Sequence, residues 1–449
     1  MTGLMPILAI FAMACRCGSE PPLAPVVAEH PRHVVVISMD TVRADALGTH
    51  GGPAQTPNID KFASTAVVFE NHMSAAPSTL SSHTSLMTGQ YPHKHGIPRN
   101  AHRIDDANVM LAEVLDAAGF ETAAFLGAMP LGEHANFLQG FDHVDADFRR
   151  PRETRVYEQA ERSGDLVTDA ALGWLETAPD ERLFLFVHYF DAHQPYESTD
   201  DETSGSMKSV YRLRRQLGEG KPAAAALSEA LKPLYWAEIA SVDREVGRLL
   251  DGLRSKGIAD DALIVLTADH GESYAEHGEY WDHGNRVYDQ TVHTPLMIKS
   301  PETTARRIAP PVSAVDVFPT VVDVLRLAPM DVDGRSLVPI LKGGEIPLRP
   351  VFSEATKPWE KNKPWRNANR EKSVRLGDLK MVWDPKTDRR ELYDVVADPS
   401  LSNDLAGIPE HARLVAAMDA WIAEAEPLPS KKVNAPNITE QLEALGYVD

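Results

Sequence analysis

His33-Val34-Val35-Val36-Ile37-Ser38 runs directly into Met39-Asp40-Thr41. A short, unbroken β-branched run predicts a strand covered on both faces, as in the middle of a parallel sheet. Four similar runs follow: Thr122 to Leu126, Leu183 to His188, Ala262 to Thr267 and Pro295 to Ile298. Helical spacing fills the gaps between them. Ala107 to Ala118 places Val109, Leu111, Ala112, Val114 and Leu115 at near-helical intervals, and Gly119 ends it. Asp165 to Thr177 and Leu227 to Leu253 read as further helices, the second stopped by Lys256-Gly257. Asp316 is expected to cap a helix reaching about Leu327. Alternating strands and helices predict an α/β fold, a mostly parallel central sheet flanked by helices. Residues 200–225 are polar and Ala/Gly-rich and read as a surface insertion.

The pattern changes after about residue 345. Val374 to Trp383 reads as a hairpin around Gly377-Asp378, and Glu391 to Val395 as another strand. The expectation is a smaller C-terminal antiparallel α+β subdomain. The predicted units are therefore a leader over 1–15, a linker over 16–32, a main domain over 33–344 and the subdomain over 345–449. A chain of 449 residues has room for two or three such units.

With 45 Lys and Arg against 65 Asp and Glu, the net charge is −20. Such a chain repels polyanions, so no nucleic-acid partner is expected. Cys15 and Cys17 stand too close together to staple a domain, leaving the folded body without a disulfide or a cysteine metal site. The apolar run Gly3 to Ala14 is shorter than the roughly 20 residues of a spanning helix. It fits the core of a secretory signal. Ala12-Met13-Ala14-Cys15 resembles a bacterial lipobox with Cys15 lipidated. A secreted, periplasmic or cell-envelope lipoprotein is expected, touching membrane only through that anchor. Ser19 to Pro31 carries four prolines and reads as an extended tether.

Ligands in open α/β sheets bind beyond the carboxyl ends of the strands. Three polar clusters fall there: Ser38 to Thr41, Ala268-Asp269-His270-Gly271-Glu272, and Phe190-Asp191-Ala192-His193-Gln194-Pro195-Tyr196. Converging carboxylates and imidazole suit a divalent ion. The segment Ala76 to Pro92 is rich in hydroxyls and opens a short helix ending near Gly89. A hydroxyl at a helix N-terminus beside an ion is a nucleophile candidate.

These blocks, taken in order, resemble the sulfatase family of the alkaline phosphatase superfamily. The opening block is Val34 to Ala63, with Ser-Met-Asp-Thr-Val-Arg-Ala-Asp-Ala-Leu-Gly and Thr56-Pro-Asn-Ile-Asp60. Thr79 to Tyr91, Leu183 to Tyr196, Thr267 to Gly278 and Glu391 to Leu405 resemble later blocks. The resemblance implies the fold above, with residues 33–344 as the catalytic domain. It also implies one divalent ion (Ca, Mg, Mn or Zn) held by Asp40, Thr79, Asp269 and His270. Thr79 falls at the nucleophile's position. His193 and His283 match histidines near the leaving group, with His83 and His277 as further candidates. Trp281, Tyr196 and Trp236 are expected to pack or to line the pocket.

Two departures from typed sulfatases stand out. Their Cys/Ser-x-Pro-x-Arg, matured to formylglycine, is here Thr79-Leu-Ser-Ser-His83. Their Gly-Lys-Trp-His-Leu-Gly is here Gly127-Ala-Met-Pro-Leu-Gly132. The Thr79 pattern resembles the threonine-nucleophile branch: nucleotide pyrophosphatases, phosphoethanolamine transferases and lipoteichoic acid synthases. The expected activity is metal-dependent hydrolysis of a phosphate or sulfate ester through Thr79. The expected substrate is a small-molecule, glycan or lipid ester. Left open are a sulfuric ester hydrolase using an unmodified hydroxyl, a phospho-group transferase, and a non-catalytic metal-binding relative.

Overall fold

A computed structural model describes residues 30–148, 161–179, 181–196, 207–355, 370–405, 407–424 and 431–433. The leader, the lipobox and most of the tether lie outside the described residues.

Fifteen strands occur in chain order among the described residues. The main sheet takes β1 (His33–Met39), β2 (Val67–Met73), β4 (Phe120–Leu126), β5 (His143–Asp145), β6 (Arg182–Tyr189), β7 (Ala262–Ala268), β8 (His293–Lys299), β9 (Arg306–Ile308) and β10 (Val312–Ser313). A separate ribbon pairs β3 (His102–Arg103) with β15 (Lys431–Lys432). The remaining four, β11 (Val351–Glu354), β12 (Lys372–Leu376), β13 (Leu379–Asp384) and β14 (Arg389–Asp394), form an antiparallel sheet in that order.

The main sheet runs β10-β2-β8-β7-β1-β6-β4-β5, with β9 beside β2. β1 lies between β6 and β7, parallel to both. β4 is parallel to β6 and β5. Only β8 runs against its neighbours β7 and β2. The mostly parallel expectation is met. β1 sits centrally because every one of its residues is buried. Its side chains alternate between two cores, as the period of two requires. Val35 and Ile37 pack with Val167, Tyr235, Ile239 and Val246 on one face. Val34 and Val36 pack with Leu80, Leu111, Phe318 and Val321 on the other.

The helices are α1 (Pro57–Ala63), α2 (Thr79–Thr88), α3 (Pro92–His95), α4 (Leu111–Ala117), α5 (Gly164–Thr177), α6 (Met207–Gly218), α7 (Pro222–Ser255), α8 (Asp289–Val292), α9 (Val317–Val324), α10 (Val338–Leu341) and α11 (Pro409–Ala423). Several differ from expectation for local reasons. α4 begins only at Leu111, because the Asp105 carboxylate accepts the Ala107 amide at 3.1 Å and turns that stretch aside. Asp316 stands at the N-cap position of α9, as expected, but its side chain makes no cap hydrogen bond to that helix. Its carboxylate accepts the Ser313 amide at 3.0 Å and the Arg335 amide at 2.8 Å, closing the turn before the helix. The expected insertion is helical where described, forming α6 and the start of α7. Strand β2 went unread because Glu70-Asn71 interrupts its apolar run; its pairing with β8 is irregular there.

The subdomain docks through apolar and charged contacts. Val374, Met381, Leu392, Met418 and Trp421 cluster with Ala75, Tyr91 and Val315 of the main domain. At this joint Glu354 accepts from His93 Nδ1 at 2.6 Å and from Lys372 Nζ at 3.2 Å, and it pairs with Arg370. All four side chains are buried. Two cations therefore share one carboxylate. Burial, more than the neighbouring Arg370, pushes Lys372 from 10.5 down to about 7. The folded protein then binds fewer protons at Lys372 than the unfolded chain between about pH 7 and 10.5, so stability rises with pH across that window. Lys372→Met is expected to remove this rise. Thermal midpoints of both proteins at pH 6.5 to 9.5 check it; parallel pH curves would refute it.

Candidate functional site

The site lies past the carboxyl ends of β1, β6 and β7. Register brings its members together, since Ser38 pairs with His188 on one side and Met39 with Ala268 on the other. Asp40 follows β1, and Asp269-His270 follows β7. Asp40, Asp269 and His270 each offer a ligand atom, and these atoms lie within 4.8 Å of one another. All three residues are buried.

Their remaining bonds fix their orientation. Asp269 Oδ1 accepts the amides of His270 at 2.7 Å and Thr41 at 3.1 Å. His270 Nδ1–H donates to the Gly271 carbonyl at 2.9 Å, so in the neutral ring Nε2 carries the lone pair. Among the described residues Asp40 Oδ1 and Oδ2, Asp269 Oδ2 and His270 Nε2 make no hydrogen bond. A buried orphan polar atom costs about 1–3 kcal/mol. Three residues whose ligand atoms lie so close form a donor set that fits a divalent cation.

The local electrostatics agree. Burial raises Asp40 to about 6, while His270 and the Thr79 hydroxyl pull it back. Asp269 is raised by burial and by Asp40. Burial lowers His270, but Asp269 and Asp40 outweigh it and hold the ring above its ordinary value. Two buried carboxylates repel, and a dication would remove that repulsion.

Thr41 adopts φ +57°, a left-handed conformation uncommon for a β-branched residue. That turn aims its amide at Asp269. Tyr235 of α7 clamps the turn, its hydroxyl donating to the Thr41 carbonyl at 2.8 Å and accepting the Arg43 amide at 3.1 Å. Arg43 itself is spent on Asp45, Glu276 and the Glu272 carbonyl.

Thr79 opens α2, a wholly buried helix despite its hydroxyl content. The hydroxyls are satisfied locally. Thr84 bonds back to the Leu80 carbonyl at 2.6 Å and Thr88 to the Thr84 carbonyl at 2.7 Å. Ser82 reaches the Asp269 carbonyl at 2.6 Å, and Ser74 bonds the same oxygen. Gly89, at φ +69°, ends the helix. Thr79 Oγ1, in contrast, is buried and makes no hydrogen bond among the described residues.

The histidines divide by role. His83 lies beneath the site with both nitrogens engaged: Nδ1–H donates to the Thr79 carbonyl at 2.7 Å, and Nε2 accepts the Ser38 hydroxyl at 2.8 Å. Burial takes it to about 3. It steadies Thr79, and its Nδ1 also stands 3.6 Å from Asp269 Oδ2. His193 Nδ1–H donates to the Gln194 carbonyl at 2.6 Å, and the ring stacks on Phe190. Burial, then His283 and His270, push it well below its ordinary value, so it is neutral near pH 7. It lines a cleft of about 340 Å³ together with Glu161, Asp165, Asp191 and Arg244. The His283 ring lies 4.4 Å from that of His270 and 5.3 Å from that of His193. His283 Nδ1 is 3.5 Å from Glu272 Oε1. His277 joins none of these; it bonds the Ser400 carbonyl and stacks on Tyr288. Trp281 is fully buried and bonds Ser228, while Arg214 of α6 holds its carbonyl at 2.7 Å. The presumed insertion thus anchors the loop carrying His283.

A family model described as Sulfatase matches residues 32–327. The chain belongs to the sulfatase family. A second family model, for the C-terminal region of N-sulphoglucosamine sulphohydrolase, matches residues 275–427 of this sulfatase-family chain. An N-acetylglucosamine-6-O-sulfatase of Bacteroides thetaiotaomicron is 23% identical, covering 85% of this chain and 84% of the relative. A ulvan-active sulfatase of Formosa agariphila is 26% identical, covering 86% and 80%. Among solved structures, a phosphonate monoester hydrolase of Agrobacterium radiobacter superimposes with a TM-score of 0.68 at 22% identity, covering 88% of this chain and 95% of that one. These findings make the chain a sulfatase-family ester hydrolase.

The Gly127 to Gly132 segment of this sulfatase-family enzyme is a packed wall. A Cβ on Gly127 would meet the His188 carbonyl oxygen at 2.8 Å. Ala128, Met129 and Leu131 are buried. Sequence reading gave Glu272 a place in its strand-end cluster but no role, and passed over Tyr235 and His188. Only His188 carried a legible signal, as the last residue of an otherwise apolar strand run.

Proposed function

We propose that this enzyme hydrolyses a singly charged phosphate- or sulfate-type ester, with a divalent ion at Asp40, Asp269 and His270 and Thr79 as nucleophile. The observation that carries this reading is the orphaned Thr79 Oγ1 beside the orphaned Asp40 oxygens. A bound ion would supply charge neutralisation of the ester oxygens and a lowered pKa for the Thr79 hydroxyl.

Thr79 Oγ1 attacks the phosphorus or sulfur, its proton passing to solvent or base, and the bond to the leaving oxygen breaks. The α2 N-terminus faces the developing negative charge. His283, whose Nδ1 stands 3.5 Å from Glu272 Oε1, gives a proton to the departing alkoxide. His193, on the wall of the cleft, orients the substrate. Water then attacks the covalent intermediate and releases Thr79. An acceptor alcohol in place of that water would make the same chain a transferase.

The apolar Gly127–Gly132 wall brings no lysine to the charged ester, which favours substrates with one negative charge. An unmodified threonine also lacks the hemiacetal route by which formylglycine releases sulfate. A higher kcat/KM is therefore expected for an aryl phosphodiester or phosphonate monoester than for the matched aryl sulfate. The curated relatives favour a second reading, a sugar sulfate as substrate. Assay of both aryl esters and of N-acetylglucosamine 6-sulfate on one metal-loaded preparation decides between them; a clear preference for sulfate would select the second. The N-terminal motif supports lipid anchoring at Cys15 in the cell envelope, which the intact mass of the membrane-extracted protein tests.

A further inference from the structure

His193 and His283 belong to two different loops, one after β6 and one after β7, yet their ring centroids lie only 5.3 Å apart. Arg214 of α6 ties the two loops together beside each histidine. Its Nε donates to the Trp281 carbonyl at 2.7 Å, and Nη2 donates to the same oxygen. Nη2 also stands 3.3 Å from Asp282 Oδ1. That carboxylate oxygen accepts the His283 amide at 2.9 Å. On the other loop, the Gln194 side-chain oxygen accepts from Nη2, and its nitrogen donates to the Trp281 carbonyl at 3.1 Å. Gln194 directly follows His193, and its own carbonyl accepts from the His193 ring. Trp281 holds φ +46°, a left-handed conformation that a bulky aromatic rarely adopts. Such a turn persists only where its surroundings hold it. Here Arg214 and Gln194 hold the Trp281 carbonyl, and Ser228 of α7 accepts the indole N–H at 2.7 Å.

Resting on the role proposed above for His283 as proton donor, the geometry points to Arg214 as a positioning residue that sets His283 and His193 against the substrate as one unit. Its guanidinium is occupied by the two loops and acts only through them. The planar fork matters, because a lysine ammonium is a point charge and cannot serve the Trp281 carbonyl and Gln194 in one plane. Helix α6, which lies outside the sheet, thereby takes a share in the reaction. The consequence depends on the leaving group. When the bond to the leaving oxygen breaks, an alkyl alkoxide needs the proton of His283, whereas a 4-nitrophenolate departs without it. A donor displaced by about 1 Å can cost about 100-fold in rate. Loss of Arg214 should therefore be felt on alkyl esters and hardly on nitrophenyl esters.

The test is kcat/KM of the purified, metal-loaded full chain on the ethyl and 4-nitrophenyl esters of phenylphosphonate, or on the matched sulfates if the enzyme prefers them. Arg214→Ala should lower the value for the ethyl ester about 100-fold and that for the nitrophenyl ester by no more than about 3-fold. Arg214→Lys, which keeps the charge without the fork, should recover only part of the ethyl-ester rate. Gln194→Met, which keeps the bulk and loses both side-chain bonds, should show the same selectivity at about 10-fold. It carries the test if the arginine variant fails to fold. Equal losses on both esters would make Arg214 a purely structural residue and overturn the assignment. So would unchanged rates on both, or full recovery by Lys. His283→Gln run alongside separates the two failures. If it spares the ethyl ester, the proton-donor reading itself falls. If it shows the leaving-group selectivity while Arg214→Ala does not, only Arg214 is misassigned.

Discussion

Thr79→Ala is expected to lower kcat by about 10⁴-fold or more on the best substrate, while the folded structure persists. The hydroxyl is the only group at the α2 N-terminus that is buried, unbonded and able to attack. It lies beside Asp40, with no hydrogen bond of good geometry to lose, and alanine is a better helix former at that position. The missing methyl leaves a small void worth about 1 kcal/mol, so the thermal midpoint should move by only a few degrees. Thr79→Ser keeps the nucleophile and should keep measurable turnover. Rapid quenching of the wild type should leave one phosphoryl or sulfo group on the peptide containing Thr79, and none in the alanine variant. Near-normal rates in Thr79→Ala would end the covalent mechanism. Thr79→Cys co-expressed with a formylglycine-forming enzyme is not expected to gain sulfatase activity, because Ser81 and His83 replace the proline and arginine of the maturation motif.

What the sequence made legible follows from which signals are local. The central strands were legible because a β-branched run buried on both faces needs no partner to be recognised, and observed limits differ from expected ones by only one or two residues. Asp40, Asp269 and His270 were legible because polar residues directly after such runs have few packing reasons to be there. β2 was not, since its polar residues break the period and only pairing with β8 makes it a strand. Asp316 was placed correctly before α9 but its bonding was not legible, because a carboxylate at that position can serve the preceding turn instead, and the choice depends on Arg335 nearly twenty residues on. His83 was legible as present but not in its role: only tertiary structure reveals that Ser38 and the Thr79 carbonyl consume both nitrogens. The Tyr235 clamp on Thr41 joins residues 194 apart in sequence, which no local pattern encodes.

Asp269→Asn should separate the stability of the metal-free protein from that of the metal-bound one. The substitution keeps the shape and keeps Oδ1 as acceptor for the His270 and Thr41 amides. It replaces Oδ2 by an amide nitrogen that cannot ligate, so ion affinity should fall at least about 100-fold. His270→Ala should do the same, since it removes the only lone pair aimed from that loop position. In the wild type, ion at 100 times its Kd adds about 2.7 kcal/mol to stability, and the variant should lose that gain. Without ion the order should reverse. Burial raises both carboxylates and Asp40 raises Asp269 further, and the asparagine removes one of the two buried charges. The pH dependence has a defined sign. The folded-state pKa of Asp40, about 6 against 3.8, means the folded metal-free protein binds more protons than the unfolded chain between those values. Its contribution to stability is fully present below about pH 4 and is lost as pH rises through about 6. Ion binding needs the ionised carboxylate, so the ion-derived gain in the wild type should run the other way, large at pH 7.5 and fading below about pH 6. Thermal midpoints of both proteins, with ion and with chelator, from pH 4.5 to 8 test each part. A variant that keeps full metal occupancy by elemental analysis, or that is the less stable of the two in chelator at pH 7.5, would show that Asp269 is a structural carboxylate and not a ligand.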